Sequence, residues 1–203
     1  TDASQVTEDD LNAMARDLRP LVERESGVQF KQMPAVRLGT KEALQKAMLG
    51  DAEIVVRSLY DAPEHVLEQL IQSSGGGYRG VLGKYDLAEK DLLISLEAIS
   101  GVLSDPKFKE EDTGDAICLI LAHEMTHALQ DQEADLKAQL LTFRDLDAFD
   151  ASRGVEEGHA TFVEGRVAAA LGTTDTFWHL NEVGQGWGKE GLIVPQAFKT
   201  YAL

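Results

Sequence analysis

The feature that constrains this chain most is a helix that is apolar on nearly every side and then becomes polar within one turn. Spacing and end signals predict this helix over residues 111–133, and the run Ile117–Ala122 places apolar side chains around almost its whole circumference. A helix of that kind belongs in the centre of a fold. The next five residues are His123-Glu124-Met125-Thr126-His127. Because buried histidine and glutamate side chains are costly without partners, the fold must satisfy them at this point.

The spacing of these polar residues suits a metal ion. Histidines four residues apart share one helix face, so His123 and His127 can reach a single zinc ion at ~2.0–2.1 Å. Glu124 is then placed to act on water at that ion. The pattern H-E-x-x-H arises by chance in roughly one chain of this composition in a hundred. An ordinary polar helix face is the alternative, and the apolar run before His123 counts against it.

A catalytic zinc site also needs a third protein ligand and an open position. The chain has Gln130 and Glu133 where the extended metzincin pattern would have glycine and histidine. Since the helix is predicted to continue through this point, we expect Glu133 to point away from the metal. Asp131 is better suited to a hydrogen bond behind the ligands than to ligation.

A second helix, predicted over about residues 151–171, is the better source of the third ligand. On it, Glu157 and Glu164 share one face with Thr161, whereas Glu156 lies on another face. Gly158 is expected to let the two helices approach closely.

Parts of these helices resemble the gluzincins, zinc metallopeptidases with H-E-x-x-H on one helix and a glutamate ligand on a later one. The run Glu157–Glu164 is similar to the Asn-Glu-Gly-Phe-Ala block of gluzincin aminopeptidases, in which the glutamate before glycine is the ligand. The run Leu121–Gln132 is closer still to small bacterial members, including the minigluzincins. These also have an upstream Gly-x-Tyr-Asp before a strand, matched by Gly83-Lys84-Tyr85-Asp86. The resemblance covers roughly residues 80–171.

The resemblance implies a peptidase that binds Zn²⁺ through His123, His127 and Glu157. Glu156 then occupies the position of the family's asparagine. The cofactor is one zinc ion, and the substrate is a peptide or protein in an extended conformation.

The implied reaction is hydrolysis of a peptide bond. Glu124 serves as general base, taking a proton from water and later giving it to the leaving amine. Gluzincins usually add a tyrosine or histidine beyond the third ligand to stabilise the oxyanion, and the candidates here are His179 and Tyr201.

The implied fold is α+β and zincin-like. A small mixed sheet packs against the active-site helix, a second helix bears a ligand, and further helices lie N-terminal to them. The edge strand, which we place at Leu92–Leu96, would pair with the substrate through main-chain hydrogen bonds. We expect residues 1–203 to form a single catalytic domain, made of an N-terminal portion (1–75), a metal-site core (76–172) and a tail (173–203).

Local patterns predict the other elements. Thr7 is expected to cap a helix that ends near residue 25. The remaining elements are a strand within Val28–Leu38, a helix over about Thr40–Leu49, two helical pieces within Ala52–Ser73 broken near Pro63, a flexible connection at residues 75–77, and strands Tyr78–Lys84 and Asp91–Leu96 joined by a hairpin loop.

Charge and composition exclude several classes of partner. The chain has 19 Lys and Arg against 35 Asp and Glu, so its net charge of −16 disfavours nucleic acid and anionic membrane surfaces. No apolar stretch approaches the ~18–20 residues of a membrane span. The single cysteine, Cys118, is expected to be a buried apolar side chain. The resemblance to bacterial proteins that are often exported implies a periplasmic or secreted location, and because the chain starts at Thr1 we expect that an initiator methionine or a longer leader has been removed.

Two other hypotheses stay open. A latent or non-proteolytic binding module on the zincin fold would explain why the oxyanion residue is unassigned, with the tail over residues 173–203 occupying the cleft. The third hypothesis, a metal-free acidic scaffold, is the weakest, because it offers no reason for a buried His-Glu-His cluster.

Overall fold

A computed structural model describes residues 5–74, 80–109 and 111–187. Within these ranges the chain is mixed α+β and mostly helical, which confirms the predicted class. The helices are α1 (Glu8–Ser26), α2 (Lys41–Leu59), α3 (Glu64–Ser74), α4 (Leu96–Leu103), α5 (Asp112–Ala134), α6 (Leu136–Leu140), α7 (Leu146–Leu171) and α8 (Thr174–Trp187). The strands are β1 (Val36–Leu38), β2 (Gly83–Tyr85) and β3 (Leu92–Ile94).

The three strands form one sheet in the order β1-β3-β2. Strand β1 runs parallel to β3, and β2 runs antiparallel to it with Tyr85 opposite Leu92. The prediction that the strand at Leu92–Leu96 is an edge strand is therefore wrong, because β3 is paired on both sides. All three residues of β3 are buried, which is typical of a central strand. Within the part of the chain that the structure describes, the free edges belong to β1 and β2.

Helix α5 is the central helix, as its apolar circumference predicted. It contacts α1, α4, α6, α7, α8 and the two strands β2 and β3, and its most extensive contact is with α7. The helix continues through residues 130–133 and ends at Ala134, followed by the capping residue Asp135 with a left-handed φ of 47°. Cys118 packs against the main core, and burial raises the pKa of its thiol to about 11, as expected for an unreactive side chain.

The N-terminal helices follow their sequence signals with one exception. Thr7 caps α1 in a reciprocal capping box with Asp10. The two helices predicted on either side of Gly50 are a single helix, α2, capped by Thr40. The break before Pro63 is confirmed, since α2 ends at Leu59 and α3 begins at Glu64. The glycines at 75–77 lie outside the described residues.

The segment between α1 and β1 is not the long strand that was predicted. Only its last residues, Val36–Leu38, pair with another strand. Backbone N–H groups earlier in the segment donate to side chains instead: that of Phe30 to Glu23, and those of Lys31 and Gln32 to Gln132 Oε1. These partners, one of them a hundred residues away, replace the ladder hydrogen bonds of a strand.

The amphipathic helices turn their apolar faces to a common core. That core combines residues of α1, the sheet, α5, α7 and α8, among them Leu11, Ile94, Leu121, Val163 and Phe177. Among the helices described here, none has both the length and the apolar character needed to cross a membrane.

Gln132 can be tested as the residue that replaces a strand partner. Gln132→Ala removes the acceptor for the Lys31 and Gln32 N–H groups and should lower the free energy of unfolding by about 1 kcal/mol in urea denaturation. Gln69→Ala, on the exposed face of α3, is the matched control and should change it by less than about 0.5 kcal/mol. Equal effects of the two substitutions would show that this contact does not hold the segment.

Candidate metal centre

Two neighbouring helices bring three possible metal ligands together. His123 and His127 lie one turn apart on α5, and their Nε2 atoms are 3.2 Å from each other. Glu157 comes from α7, and its Oε2 atom lies 3.3 Å from His123 Nε2 and 3.5 Å from His127 Nε2. The three residues predicted as ligands therefore form one cluster, which could hold a metal ion.

The spacing of these three atoms fits a tetrahedral ion. Ligands at ~2.0–2.1 Å from a tetrahedral centre are about 3.3 Å from one another. The observed sides of 3.2, 3.3 and 3.5 Å match that value. A metal ion held here would therefore have three protein ligands among the described residues.

The cluster is buried on its histidine side and open on its glutamate side. The side chain of His127 is 10% exposed and that of His123 is 21% exposed, whereas that of Glu157 is 44% exposed. Among the three side chains, that of Glu157 is therefore the most exposed to solvent.

Partners behind the histidines fix which nitrogen faces the cluster. His123 Nδ1 lies 3.0 Å from Glu164 Oε2, and because a carboxylate only accepts, the ring nitrogen donates. His127 Nδ1 lies 2.8 Å from Gln130 Oε1, while the Gln130 amide group donates to the Glu156 carbonyl. With the proton on Nδ1, the neutral rings present their Nε2 lone pairs to a metal ion.

Glu156 and Glu157 have different tasks although they are adjacent. Glu156 is buried and accepts hydrogen bonds from Ser152 and Arg153. Arg153 also pairs with Oε1 of Glu157, which leaves Oε2 of Glu157 facing the histidines. The structure thus places Glu157 at the cluster and Glu156 away from it, as the resemblance implied.

The carboxylates give the cluster a strong preference for positive charge. Burial alone would lower the pKa of His123, but its hydrogen bonds with Glu157 and Glu164 outweigh burial and raise the pKa to about 10. Burial would likewise raise the pKa of Glu157, yet hydrogen bonds with His123 and His127 hold it well below its usual range. The same negative groups that favour a proton here would favour a metal cation.

Glu124 points toward the sheet from the same turn of α5. Its side chain is buried, and the backbone N–H of Tyr85 in β2 donates to its Oε2 atom over 2.7 Å. Gly83 of the same strand has no space for a side chain, because a Cβ would lie 2.8 Å from Glu124 Cγ and 2.7 Å from Ile120 Cγ2. The negative charge of Glu124 also contributes to the raised pKa of His123, so the two groups interact.

The two residues predicted to stabilise an oxyanion are not joined to the cluster by any described contact. His179 lies on α8 with its ring edge against Phe108, at a centroid distance of 5.7 Å. Tyr201 lies outside the described residues. Among those that are described, no hydrogen bond or ion pair connects His179 to His123, His127 or Glu157.

Other predictions around the cluster have mixed outcomes. Glu133 points away and pairs with Lys31 at 2.9 Å, as expected. Gly158 does not mediate the contact between helices, because it is exposed and a Cβ there would meet nothing within 4 Å. Gly165 of α7 does lie close to another helix, but to α8, where a Cβ would be 3.2 Å from the Phe177 ring.

Several supporting residues escaped the sequence analysis. Glu164 was recognised only as sharing a face with Glu157, and Gln130 only as a departure from another pattern. Arg153 and Tyr85 had no assigned part in the cluster. Spacing offered a signal for three of them, since Gln130 is three residues after His127 and Arg153 and Glu164 are four before and seven after Glu157.

No protein-family model, curated protein or solved structure matches the chain. The candidate centre is therefore inferred from the side chains themselves, which form a group able to hold a metal ion.

Glu157 and Glu156 provide a matched test of the ligand set. Glu157→Ala removes a charged ligand and should lower zinc affinity by more than about 100-fold. Glu156→Ala should leave it within about 10-fold, because this side chain reaches only Ser152 and Arg153. Competition titration against a chromogenic zinc chelator measures both, and an equal loss in the two variants would contradict the assignment.

Glu164 can be tested as the partner that orients His123. Glu164→Gln keeps the shape of the side chain but removes its charge, so zinc affinity should fall by about 10- to 100-fold with one zinc still bound at saturation. Glu182→Gln, on α8 and paired with Lys107, is the control and should not change the affinity. An affinity equal to that of the parent protein would mean that the contact is dispensable.

Proposed function

We propose that the protein is a zinc-dependent metallopeptidase of the gluzincin type on a zincin-like fold. His123, His127 and Glu157 hold the zinc ion, and Glu124 is the general base. The observation that carries the proposal is the triangle of two Nε2 atoms and one carboxylate oxygen, with sides of 3.2–3.5 Å, whose Glu157 side chain is partly exposed to solvent. Two imidazoles, a carboxylate and an accessible position are the donor set of catalytic zinc.

When bound, zinc supplies the Lewis acid that polarises the scissile carbonyl and makes water acidic enough to react near neutral pH. The chain supplies the proton transfers. Glu124 takes a proton from the attacking water and delivers it to the amine that leaves. Its Oε2 atom is held by the Tyr85 N–H, so its orientation is set before substrate binds.

The free edge of β2 offers a path for an extended substrate. In β3, the backbone N–H and carbonyl groups of Leu92 and Ile94 face β1. The Leu92 N–H donates to the Ala35 carbonyl, and the Ile94 carbonyl accepts from the Gly39 N–H. Leu93 therefore pairs with Lys84, and the backbone groups of Gly83 and Tyr85 face the opposite edge. The Tyr85 N–H already donates to Glu124 and its carbonyl accepts from Lys84 Nζ, so it is the backbone of Gly83 that the described contacts leave for a peptide. We infer that this edge, rather than β3, binds the peptide.

A peptide on the β2 edge would pass beside the general base. Gly83 lies directly against Glu124, so a strand paired there brings its own backbone carbonyls near the candidate metal centre. Main-chain pairing recognises an extended shape more than a particular sequence, which favours a broad range of peptide substrates. A periplasmic or secreted location stays part of this proposal and comes from the resemblance alone.

A latent or non-proteolytic binding module is the second candidate. It is favoured by one observation: among residues 5–74, 80–109 and 111–187, no tyrosine or histidine other than the ligands hydrogen-bonds to the three-residue cluster. Such a module would bind zinc and extended peptide without cleaving it. Peptide binding by zinc-loaded protein with no new amino termini would support this candidate over the peptidase.

Glu124 tests the proposed chemistry directly. Glu124→Gln keeps the size of the side chain but cannot accept a proton, so turnover should fall by about 10²- to 10⁴-fold while zinc stays at one per chain. Glu133→Gln, on the same helix but pointing away, should retain full turnover. Cleavage is followed by mass spectrometry on an unstructured peptide library, and metal content by elemental analysis.

The result that counts against the peptidase is equally specific. Hydrolysis by the zinc-loaded Glu124→Gln variant at the rate of the parent protein would remove Glu124 from the mechanism. Absence of zinc from the parent protein after reconstitution would remove the metal centre itself.

A further inference from the structure

Tyr85 connects two carboxylates that lie on one face of α5. Its hydroxyl donates to Asp131 Oδ2 over 2.7 Å, and its backbone N–H donates to Glu124 Oε2 over 2.7 Å. Glu124 and Asp131 are seven residues apart, which is two turns of a helix and places them on the same side. All three side chains are buried. Tyr85 therefore contacts the proposed general base, Glu124, through its backbone N–H and Asp131 of the same helix through its hydroxyl group.

Asp131 can anchor Tyr85 because hydrogen bonds from other residues hold its own carboxylate in place. Its Oδ1 atom accepts from the backbone N–H of Leu136, where α5 gives way to α6. Its Oδ2 atom accepts from Lys90 Nζ over 2.6 Å as well as from Tyr85. Lys90 lies in the hairpin loop between β2 and β3 with a left-handed φ of 60°, so both ends of the loop attach to one carboxylate.

Gly83 contributes by having no side chain, which leaves space for the side chain of Glu124 beside β2. A Cβ at residue 83 would lie only 2.8 Å from Glu124 Cγ and 2.7 Å from Ile120 Cγ2, closer than side chains pack. Any larger residue would have to displace β2 or the carboxylate. Among the described residues, Glu124 accepts one hydrogen bond, from the Tyr85 N–H to Oε2, and none is made to its Oε1 atom.

We propose that Asp131 and Lys90 anchor Tyr85 as a positioning residue, whose backbone N–H holds the Glu124 carboxylate in the orientation needed for proton transfer. This inference rests on the proposed peptidase function, which it deepens. The Tyr85 hydroxyl does not act on the substrate; it locks the β2 backbone. Precise orientation matters because displacing a reacting group by about 1 Å can cost about 100-fold in rate.

Asp131→Asn separates the anchor from the structural role of this residue. The amide oxygen can still accept from Leu136 N–H, whereas the amide nitrogen cannot accept from Tyr85 or Lys90. Tyr85→Phe removes the same contact from the other side and keeps the ring in the core. Tyr60→Phe, at an exposed position after α2, is the matched control.

The first readout is amide hydrogen exchange measured by NMR on zinc-loaded protein. In Asp131→Asn and Tyr85→Phe the amide of residue 85 should exchange at least about 10-fold faster than in the parent. The amides of Asp86 and Ser95, which bond within the hairpin to Asp91 and Leu82, should keep their rates within about 3-fold. Equal acceleration of all three amides would show general loosening and would overturn the proposal, as would an unchanged rate at residue 85.

The second readout is steady-state kinetics on the same samples. Both variants should lose about 10-fold or more in kcat, with KM within about 3-fold and one zinc per chain. Faster exchange at residue 85 with unchanged kcat would overturn the positioning role. If the zinc-loaded parent cleaves nothing, the peptidase proposal fails, and selective exchange at residue 85 still decides whether the anchor holds Glu124.

Discussion

The structure depends on how a buried helix satisfies the polar side chains in its middle. His123, Glu124 and His127 lie on α5, surrounded by core. Because the helix backbone already bonds to itself, their partners are groups of neighbouring elements and, for His127 Nδ1, the side chain of Gln130 on α5 itself. Helix α7 provides Glu157 and Glu164, and strand β2 provides an N–H. The positions of α7 and β2 are thereby tied to one turn of α5.

This arrangement makes the centre rigid on its inner side and open on its outer side. The Nδ1 atoms of both histidines and one oxygen of Glu124 are fixed by hydrogen bonds to buried or half-buried groups. Glu157 is held through Arg153 but remains accessible to solvent. Sites built on packed helices and strands keep their geometry better than sites on loops. The three side chains are thus placed where they could hold a metal ion.

Local sequence patterns predicted what depends on neighbours along the chain. The central helix, the cap at Thr7, the break before Pro63 and the grouping of His123 with His127 all follow from spacing over a few residues. The α+β class and the position of Glu157 rested in addition on a resemblance. Both agree with the structure, so the five-residue pattern predicts more when it is interpreted together with the surrounding sequence.

What the sequence did not predict depends on contacts between distant segments. The central place of β3 is set by β1, more than fifty residues earlier, which occupies the edge that was assigned to a substrate. The segment after α1 does not pair as a strand, because the side chain of Gln132, a hundred residues later, accepts hydrogen bonds from its backbone N–H groups. The contact of Tyr85 with Asp131 spans 46 residues in the same way. Propensity and periodicity carry no information about such partners.

X-ray absorption at the zinc K-edge, on protein reconstituted with one equivalent of zinc, tests the central claim most directly. We predict four light-atom neighbours at ~2.0–2.1 Å, with multiple scattering from two imidazoles and one position that exchanges with added azide or hydroxamate. Sulfur neighbours, a single imidazole or four ligands that resist exchange would contradict a catalytic centre formed by His123, His127 and Glu157.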